Sequence, residues 1–140
     1  MAAGSPADSE SGSRRGRFKG PYARRRCLVP ATQYFEWTTD PAKSKGRKLM
    51  WRFNIPGHST FAMAGLCERA HLTDGPVESF VFLTSAPGTE QSPYHNRRPV
   101  ILERIQWATW LDLSADPAPC MRGLEDVIAV ERATAASLGA

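Results

Sequence analysis

Residues 49–55 show the clearest alternation of apolar and polar side chains in the chain. Because successive side chains of a strand point to opposite faces, this alternation predicts a strand with one buried face. That face carries four large apolar residues, Leu49, Trp51, Phe53 and Ile55. Pro56 and Gly57 predict a turn after the strand, and we expect residues 61–66 to be its antiparallel neighbour.

Strands are also the main element of the rest of the predicted order. β-Branched and aromatic content indicates strands at four further segments, residues 33–37, 77–84, 99–102 and 127–130. A helix is predicted at residues 103–111, because Ile105, Ala108 and Leu111 recur at helical spacing. Residues 85–98 are predicted to form a long irregular loop, and such loops are often functional. Together these elements predict a β-rich α+β domain with an antiparallel sheet.

Residues 24–37, with the sequence RRRCLVPATQYFEW, combine charge, apolar side chains and aromatic rings in one short stretch. Three arginines lead into a short apolar run at residues 27–29. We expect Pro30 to end that run, because proline lacks the main-chain donor that a strand uses. The strand predicted at residues 33–37 follows.

Glu36 is a carboxylate among aromatic residues. Alternation places Phe35 and Trp37 on one face of the predicted strand, whereas Tyr34 and Glu36 fall on the other. Burial beside an aromatic ring would raise the pKa of Glu36 and make it a proton donor or acceptor near neutral pH. The alternative is an edge strand with Glu36 in water.

The composition limits the class of protein. A chain of 140 residues with a hydrophobic share of 41% is predicted to form one globular domain, or most of one. It contains neither the ~18 consecutive apolar residues of a membrane span nor the apolar core of a signal peptide, so we expect a cytoplasmic protein. Three cysteines without a Cys-x-x-Cys spacing, and the scattered His58, His71 and His95, argue against a disulfide framework and against a metal site.

Positive charge is concentrated in residues 14–26. This segment holds seven basic residues and no acid, which leaves a net charge of −3 for the rest of a chain whose total is +4. Phe18 and Tyr22 are interleaved with the charges, a mixture that suits phosphate neutralisation and base stacking; a solvated tail is the alternative. Residues 1–13, rich in Ala, Ser, Gly and Pro, are expected to be disordered, and residues 133–140 frayed.

Four motifs follow one another along the chain: RRRCLVPATQYFEW (24–37), FAMAGLCE (61–68), FVFLTSAP (80–87) and YHNRRPVIL (94–102). In order and spacing they resemble consecutive motifs of the SOS response-associated peptidase (SRAP) family, the abasic-site processing proteins. The resemblance implies a single, partial SRAP-like domain at residues 18–132, antiparallel and barrel-like, with a few short helices.

What the resemblance implies is a protein that acts on damaged DNA. Family members bind single-stranded DNA at abasic sites, and the N-terminal cysteine exposed by Met removal attacks the sugar aldehyde. Its thiol and α-amine close a thiazolidine, a covalent crosslink that shields the lesion in the DNA damage response. The resemblance thus implies an enzyme-like protein with crosslinking, peptidase-type and lyase-like chemistry, single-stranded DNA as its partner, no cofactor and a monomeric state.

Five residues match functional positions of the family motifs. By motif position Glu36 and His95 correspond to the acid/base pair, Trp37 to a DNA-stacking aromatic, and Thr84 and Arg97 to residues lining the DNA channel. Condensation with an aldehyde needs proton transfers, which a carboxylate and an imidazole can provide. We therefore expect Glu36 and His95 to line one cavity, roughly 3 Å apart or about twice that through a water. Trp37 is expected on the opposite face, and Arg97 toward the cavity mouth.

The chain also departs from the family pattern. The family begins Met-Cys-Gly-Arg, whereas this sequence begins Met1-Ala2-Ala3-Gly4, and the family's Asn-Ala-Arg motif has no counterpart. A second tryptophan motif of the family, near Leu66, reads Cys67 here. We therefore expect a family domain without its N-terminal third.

Two functions consequently stay open. One is abasic-site crosslinking, and the other is non-catalytic binding of single-stranded DNA by the basic segment and Trp37. None of the three cysteines offers the adjacent free amine that a thiazolidine needs. Cys27 is expected to be buried and Cys67 partly exposed, and Cys120 lies in a loop broken by prolines.

Overall fold

The computed structural model of the protein describes residues 2–3, 7–8, 18–42, 46–124 and 127–134. The chain forms two compact units. Unit 1 comprises Met1–Pro30, Ala62–Ser85 and Pro99–Leu124, and unit 2 comprises Ala31–Phe61, Ala86–Arg98 and Glu125–Ala140. Most of the segment predicted to be disordered, part of the basic segment and most of the predicted frayed tail lie outside the described residues.

Strands are the main secondary structure of the described residues. In order they are β1 (Ala2–Ala3), β2 (Ala7–Asp8), β3 (Arg26–Ala31), β4 (Tyr34–Thr39), β5 (Lys48–Asn54), β6 (Phe61–Leu72), β7 (Gly75–Ser85), β8 (Arg98–Pro99), β9 (Ile101–Leu102) and β10 (Ala129–Arg132). The helices are short: α1 (Lys19–Arg24), α2 (Gln106–Leu111) and a 3₁₀ helix (Ala118–Arg122). No helix within these described ranges is long and apolar enough to cross a bilayer.

The strands form two sheets, which confirms the predicted β-rich α+β class. In the seven-stranded sheet β1, β7, β6 and β3 are neighbours in that order, β2 and β8 also pair with β7, and β9 pairs with β6. β6 and β7 form an antiparallel hairpin in which Leu72 lies opposite Gly75. β1 and β2 run parallel to β7, so pairing replaces the predicted disorder at these four residues. In the three-stranded sheet β5 lies between β4 and β10 and is antiparallel to both.

The alternating segment forms β5 as predicted, but its predicted neighbour is wrong. Phe53 and Ile55 are buried, as the alternation requires. Residues 61–66 belong to β6, which pairs with β7, β9 and β3 instead. Both edges of β5 are already occupied by β4 and β10. Alternation along one segment predicts a buried face, but it does not say which strand pairs with that segment.

β3 continues through Pro30 to Ala31, although the sequence predicts an end at Pro30. Proline cannot donate a main-chain hydrogen bond and is therefore confined to edge strands and strand ends. β3 stands last in the order of its sheet, so it has an edge at which Pro30 is tolerated. Of the other predicted strands, residues 33–37 correspond to β4, which begins at Tyr34 and ends at Thr39. Residues 127–130 correspond to β10, which lies two residues further along.

The core of unit 1 is centred on Trp110, which is fully buried. The other buried members of this core are Ala64, Leu66, Leu83, Val100, Leu102 and Cys120. The predicted helix forms only over Gln106–Leu111, and its predicted apolar face is wrong, because Ile105 is 84% exposed and Leu111 is exposed as well. A helix of six residues has fewer than two turns, so a stripe that begins at Ile105 starts outside it.

Candidate active site

One face of the three-stranded sheet in unit 2 carries an aromatic cluster, formed by Tyr34, Trp51, Phe53 and Tyr94. Tyr34 stacks on Phe53, with ring centroids 4.8 Å apart. Tyr94 comes from the loop at residues 86–97 and makes edge contacts with Trp51 at 4.8 Å and with Phe53 at 5.5 Å. Each such ring pair contributes about 0.5–1.5 kcal/mol beyond its buried area. The cluster therefore holds the loop against the sheet.

Glu36 lies on the same face of β4 as Tyr34, and Trp51 of β5 is opposite it in the register. The Glu36 side chain is 22% exposed. Burial raises the pKa of the Glu36 carboxyl above its ordinary value, and the charge of His95 partly opposes that rise. The direction of this shift agrees with the sequence-based prediction, and the alternative of Glu36 in open water is wrong.

His95 directly follows Tyr94 and faces the Glu36 carboxyl. Its Nε2 lies 4.0 Å from Glu36 Oε2, between the direct and the water-bridged separations that the sequence predicts. A turn fixes its backbone, because the His95 N–H donates to the Gln91 carbonyl at 3.2 Å. The imidazole is 45% exposed, so the pair is open to solvent on one side. Unit 2 thus brings Glu36 and His95 together, two residues that only the resemblance to the family motifs had linked.

The second nitrogen of the imidazole is held by the main chain of Arg97. The Arg97 N–H donates to His95 Nδ1 at 3.1 Å, and the Arg97 carbonyl oxygen lies 2.9 Å from the same nitrogen. When Nδ1 accepts, the neutral ring carries its proton on Nε2, which faces Glu36; when Nδ1 donates to the carbonyl, Nε2 is free to accept a proton. The site can therefore give or take a proton at Nε2 beside a carboxyl that retains its own proton to a higher pH than usual, as general acid–base catalysis requires.

Trp37 stands on the opposite face of β4, as the alternation predicts. Trp37 is 52% exposed, and its ring lies 6.5 Å from that of Phe35. An exposed indole offers a stacking surface that any base can use. β4 is an edge strand of its sheet, so a ligand that passes around this edge can reach Trp37 on one face and Glu36 on the other.

Arg97 and Thr84 are placed differently. Arg97 shares the loop of His95 in unit 2, and its side chain is half-buried. Thr84 belongs to unit 1, where it is buried in β7. Unit 2 therefore combines four of the five predicted residues, Glu36, Trp37, His95 and Arg97, and the DNA contacts of Thr84 and Arg97 stay predictions.

Arg26, the last of the seven basic residues in residues 14–26, has a structural role. Its side chain is buried. Nε donates to the carbonyl of Trp110 at 2.7 Å, and the guanidinium also donates to the carbonyl of Asp112. Carbonyls at the end of a helix have no partner within it, so Arg26 satisfies the end of α2. Its neighbour Arg25 forms a surface ion pair with Glu68 at 2.7 Å.

The three thiols all lie in unit 1. Burial raises the pKa of Cys27 to about 12, and the adjacent thiol of Cys67 adds to that rise. Cys27, predicted to be buried, is half-buried, and both residues line a largely apolar cavity of about 520 Å³. Cys120, predicted to lie in a loop, is instead buried in the 3₁₀ helix, and burial raises its pKa too. Within the ranges that the structure describes, no three His, Cys, Asp or Glu side chains gather as metal ligands.

Gln91 and Tyr94 belong to the site but were not predicted. The Tyr34 hydroxyl donates to Gln91 Oε1 at 2.9 Å, which links β4 to the loop of His95. Tyr94 could have been found from the sequence, because it is an aromatic residue directly before the candidate histidine. Nothing in the sequence pattern marked Gln91, because its role depends on the folded position of the loop.

Comparison with known sequences identifies relatives of the chain. The profile of the SOS response associated peptidase (SRAP) family matches residues 5–136. The chain is similar to two abasic site processing proteins of Bacillus subtilis (strain 168), YoqW, 30% identical over 107 residues, and YoaM, 30% identical over 96 residues. These matches cover 76% and 68% of this chain but 46% and 41% of the two relatives. The chain thus spans less than half the length of each.

Solved structures share the fold. A protein from Bacteroides thetaiotaomicron superposes with a TM-score of 0.80 at 22% identity, over 93% of this chain and 58% of that one. A phage-related protein from Bordetella bronchiseptica gives a TM-score of 0.71 at 23% identity, over 95% of this chain and 63% of that one. At these identities the likeness shows the fold alone.

Proposed function

Because the chain belongs to the SOS response-associated peptidase (SRAP) family, we propose that it binds single-stranded DNA at abasic sites, with Glu36 and His95 as the acid and the base of the site. The relatives YoqW and YoaM are named abasic site processing proteins. The observation that carries the proposal is the 4.0 Å approach of His95 Nε2 to a half-buried Glu36 carboxyl. A carboxyl beside an imidazole can provide the proton transfers that condensation with an aldehyde requires.

The edge of β4 gives the DNA a path past this pair. A nucleotide strand that rounds the edge can stack a base on Trp37, which is 52% exposed. The next sugar then reaches the Glu36 face. The base of an intact nucleotide would keep its sugar away from the Glu36 carboxyl. An abasic nucleotide has no base, so its sugar can approach the carboxyl more closely. This geometry supports selection of the lesion without any reading of sequence.

Proton transfer at the abasic sugar follows from the two environments. In its open form the sugar has an aldehyde at C1′. When an amine nitrogen adds to C1′, the carbonyl electron pair moves to oxygen, which takes the proton of Glu36. His95 Nε2 removes a proton from the attacking nitrogen, which gives a carbinolamine. The protonated His95 then returns that proton to the carbinolamine hydroxyl, which leaves as water. The Glu36 carboxylate takes the remaining proton of the nitrogen, so a neutral imine forms and both side chains regain their starting states. Glu36 is suited to the acid role because burial raises its pKa.

Cys27, Cys67 and Cys120 are poorly suited to close a thiazolidine. Its ring contains the thiol and the α-amine of one and the same cysteine, and Cys27, Cys67 and Cys120 are internal residues of the sequence. The raised pKa of Cys27 and the burial of Cys120 also disfavour attack by their thiolates. These observations favour, as a second candidate, non-catalytic binding of single-stranded DNA.

Reductive trapping separates the two candidates. The 140-residue polypeptide is incubated with a single-stranded oligonucleotide that contains one abasic site, with and without borohydride, and the products are measured by intact mass. We expect an adduct only with borohydride, and we expect Glu36→Gln and His95→Asn each to slow its formation by about 10²-fold. The matched control is the same oligonucleotide with thymine at the lesion.

A heat-stable adduct without reductant would show that a thiol of the polypeptide takes part, against the assignment above. Wild-type rates in both variants would contradict the acid and base roles. DNA binding without any trapped adduct would select the non-catalytic candidate.

A further inference from the structure

The loop that carries His95 contains a buried polar side chain that the proposed chemistry does not use. Gln91 is only 7% exposed, although a glutamine in a loop normally lies in water. We propose that Gln91 and Tyr34 form a positioning pair that holds His95 at the distance from Glu36 that proton transfer needs. This inference rests on the proposed function of Glu36 and His95.

Gln91 contacts both sides of the site. Its side-chain Oε1 accepts a hydrogen bond from the Tyr34 hydroxyl at 2.9 Å. Its main-chain carbonyl accepts the N–H of Tyr94 at 2.9 Å and that of His95 at 3.2 Å. One residue therefore binds β4 through its side chain and fixes the turn before the imidazole through its backbone.

Tyr34 is a rigid partner for this bond. Its ring stacks on Phe53 with an interplanar angle of 11° and makes an edge contact with Phe61 at 6.5 Å. Burial, and secondarily the charge of Glu36, raises the pKa of Tyr34 above its ordinary value, so the hydroxyl keeps its proton and remains a donor. The donor therefore has a fixed position on the strand that also carries Glu36.

The two contacts link the acid to the base by a short route. Glu36 and Tyr34 project from the same face of β4, and the hydroxyl of Tyr34 reaches the turn that ends at His95. Without this bond the loop would still be held by the ring of Tyr94, but the height of the turn above the sheet would no longer be fixed. Displacement of a catalytic group by about 1 Å can cost 10²-fold in rate.

The test uses two variants that remove the bond from either side. Tyr34→Phe keeps the ring stack, and Gln91→Met keeps the approximate volume of the side chain. The first readout is the pKa of Glu36 in the free protein, followed by carboxyl-carbon NMR with and without His95→Asn. In the wild type that substitution should raise the pKa of Glu36, because it removes the charge that lowers it. In the Tyr34→Phe and Gln91→Met proteins we expect His95→Asn to raise the pKa of Glu36 by at least about twofold less than in the wild type.

The second readout is the rate of the borohydride-trapped adduct, compared with the affinity for the same abasic oligonucleotide. We expect the rate to fall by at least about fivefold with little change in affinity, because a positioning residue acts on the proton-transfer step. Thr39→Val is the matched control, since it removes from the same strand a hydroxyl that accepts from Lys48 Nζ at 3.1 Å. It should leave both readouts unchanged.

The positioning role would be overturned if both variants lost thermal stability but kept the wild-type trapping rate and the wild-type effect of His95→Asn on the pKa of Glu36. If Gln91→Met does not fold, Tyr34→Phe decides alone, because it removes one oxygen atom. The coupling is measured without DNA. Failure of the wild type to form any adduct would therefore reject the proposed function, while the NMR result would still decide whether Gln91 positions His95.

Discussion

At the scale of single residues, the central feature is a carboxyl that is partly removed from water. Glu36 faces Trp51 across the register of β4 and β5, and only 22% of its side chain is exposed. Desolvation disfavours the charged form, so burial raises the pKa of Glu36, and the charge of His95 opposes the rise only in part. Glu36 therefore holds its proton to a higher pH than a fully solvated carboxyl would.

This proton has a consequence for stability. Below the ordinary pKa of 4.5, Glu36 is protonated in both the native and the unfolded state. As the pH rises through the window above that value, the unfolded state releases its proton first, so the native state binds more protons and the free energy of unfolding falls. Glu36→Gln removes this dependence. We expect the variant to gain stability relative to the wild type between about pH 4 and about pH 7, measured by urea unfolding.

The control for this measurement is Glu68→Gln, which neutralises an exposed carboxylate paired with Arg25. The free energy of unfolding of Glu68→Gln should not rise relative to that of the wild type as the pH increases. An equal stability difference for Glu36→Gln at both pH values would mean that the carboxyl has an ordinary pKa in the folded protein.

At the scale of elements, the end of α2 depends on one buried cation. Arg26 donates to the carbonyl of Trp110 and to that of Asp112, and its guanidinium lies 5.5 Å from the centre of the Trp110 ring. Arg26→Ala leaves these carbonyls without their donor, so we expect a loss of about 2–4 kcal/mol in the free energy of unfolding, measured by denaturant titration.

Arg25→Ala is the matched control, because Arg25 is the adjacent arginine and its ion pair with Glu68 is exposed. We expect this change to cost less than about 1 kcal/mol. Equal losses in the two variants would show that the buried hydrogen bonds of Arg26 contribute no more than a surface pair.

The contact between β6 and β3 requires a residue without a side chain at position 65. A Cβ at Gly65 would lie 2.6 Å from Val29 Cγ2 and 2.8 Å from Cys27 Sγ. Gly65→Ala therefore forces the two strands or their side chains to move, and we expect a loss of about 1–3 kcal/mol in stability. A thermal melt of this variant and of Gly88→Ala tests the expectation.

Gly88 serves as the control because a Cβ there meets no atom within 4 Å. Its substitution should change stability by no more than about 0.5 kcal/mol. If Gly65→Ala were as stable as Gly88→Ala, the close approach of β3 to β6 would not be a constraint on the fold.

The elements also show what sequence patterns can and cannot predict here. Alternation is a local property, so it correctly gives the buried face of β5 and the opposite faces of Glu36 and Trp37. Pairing depends on distant parts of the chain, and the neighbour of β5 was wrong for that reason. The approach of His95 to Glu36 followed from a motif alone, and Gln91 had no sequence signal, since its partner Tyr34 is brought to it only by folding.

At the scale of the whole molecule, charge should govern the affinity for DNA. The basic segment holds seven basic residues, but Arg26 is used within the protein. We expect the triple substitution of Arg14, Arg15 and Arg17 by alanine to reduce the slope of log K against log salt by up to about 2, since each phosphate contact on a single strand contributes about 0.7. Fluorescence anisotropy over a salt series measures this slope.

Arg104→Ala is the control for that series, because Arg104 lies over the ring of Trp107 at the start of α2. It should leave the slope unchanged. A triple variant with the wild-type slope would show that these three arginines do not contact DNA.

The most direct test of the proposed function is the preference for a lesion and its dependence on the acid–base pair. The affinity of the protein is measured for two oligonucleotides that differ only in one position, abasic in one and thymine in the other, at a single salt concentration. We expect the wild type to favour the abasic strand by at least about fivefold, or about 1 kcal/mol. The double variant Glu36→Gln, His95→Asn should lose that preference and keep its affinity for the thymine strand. Equal affinities in the wild type, or an unchanged preference in the double variant, would contradict the assignment of this site to abasic DNA.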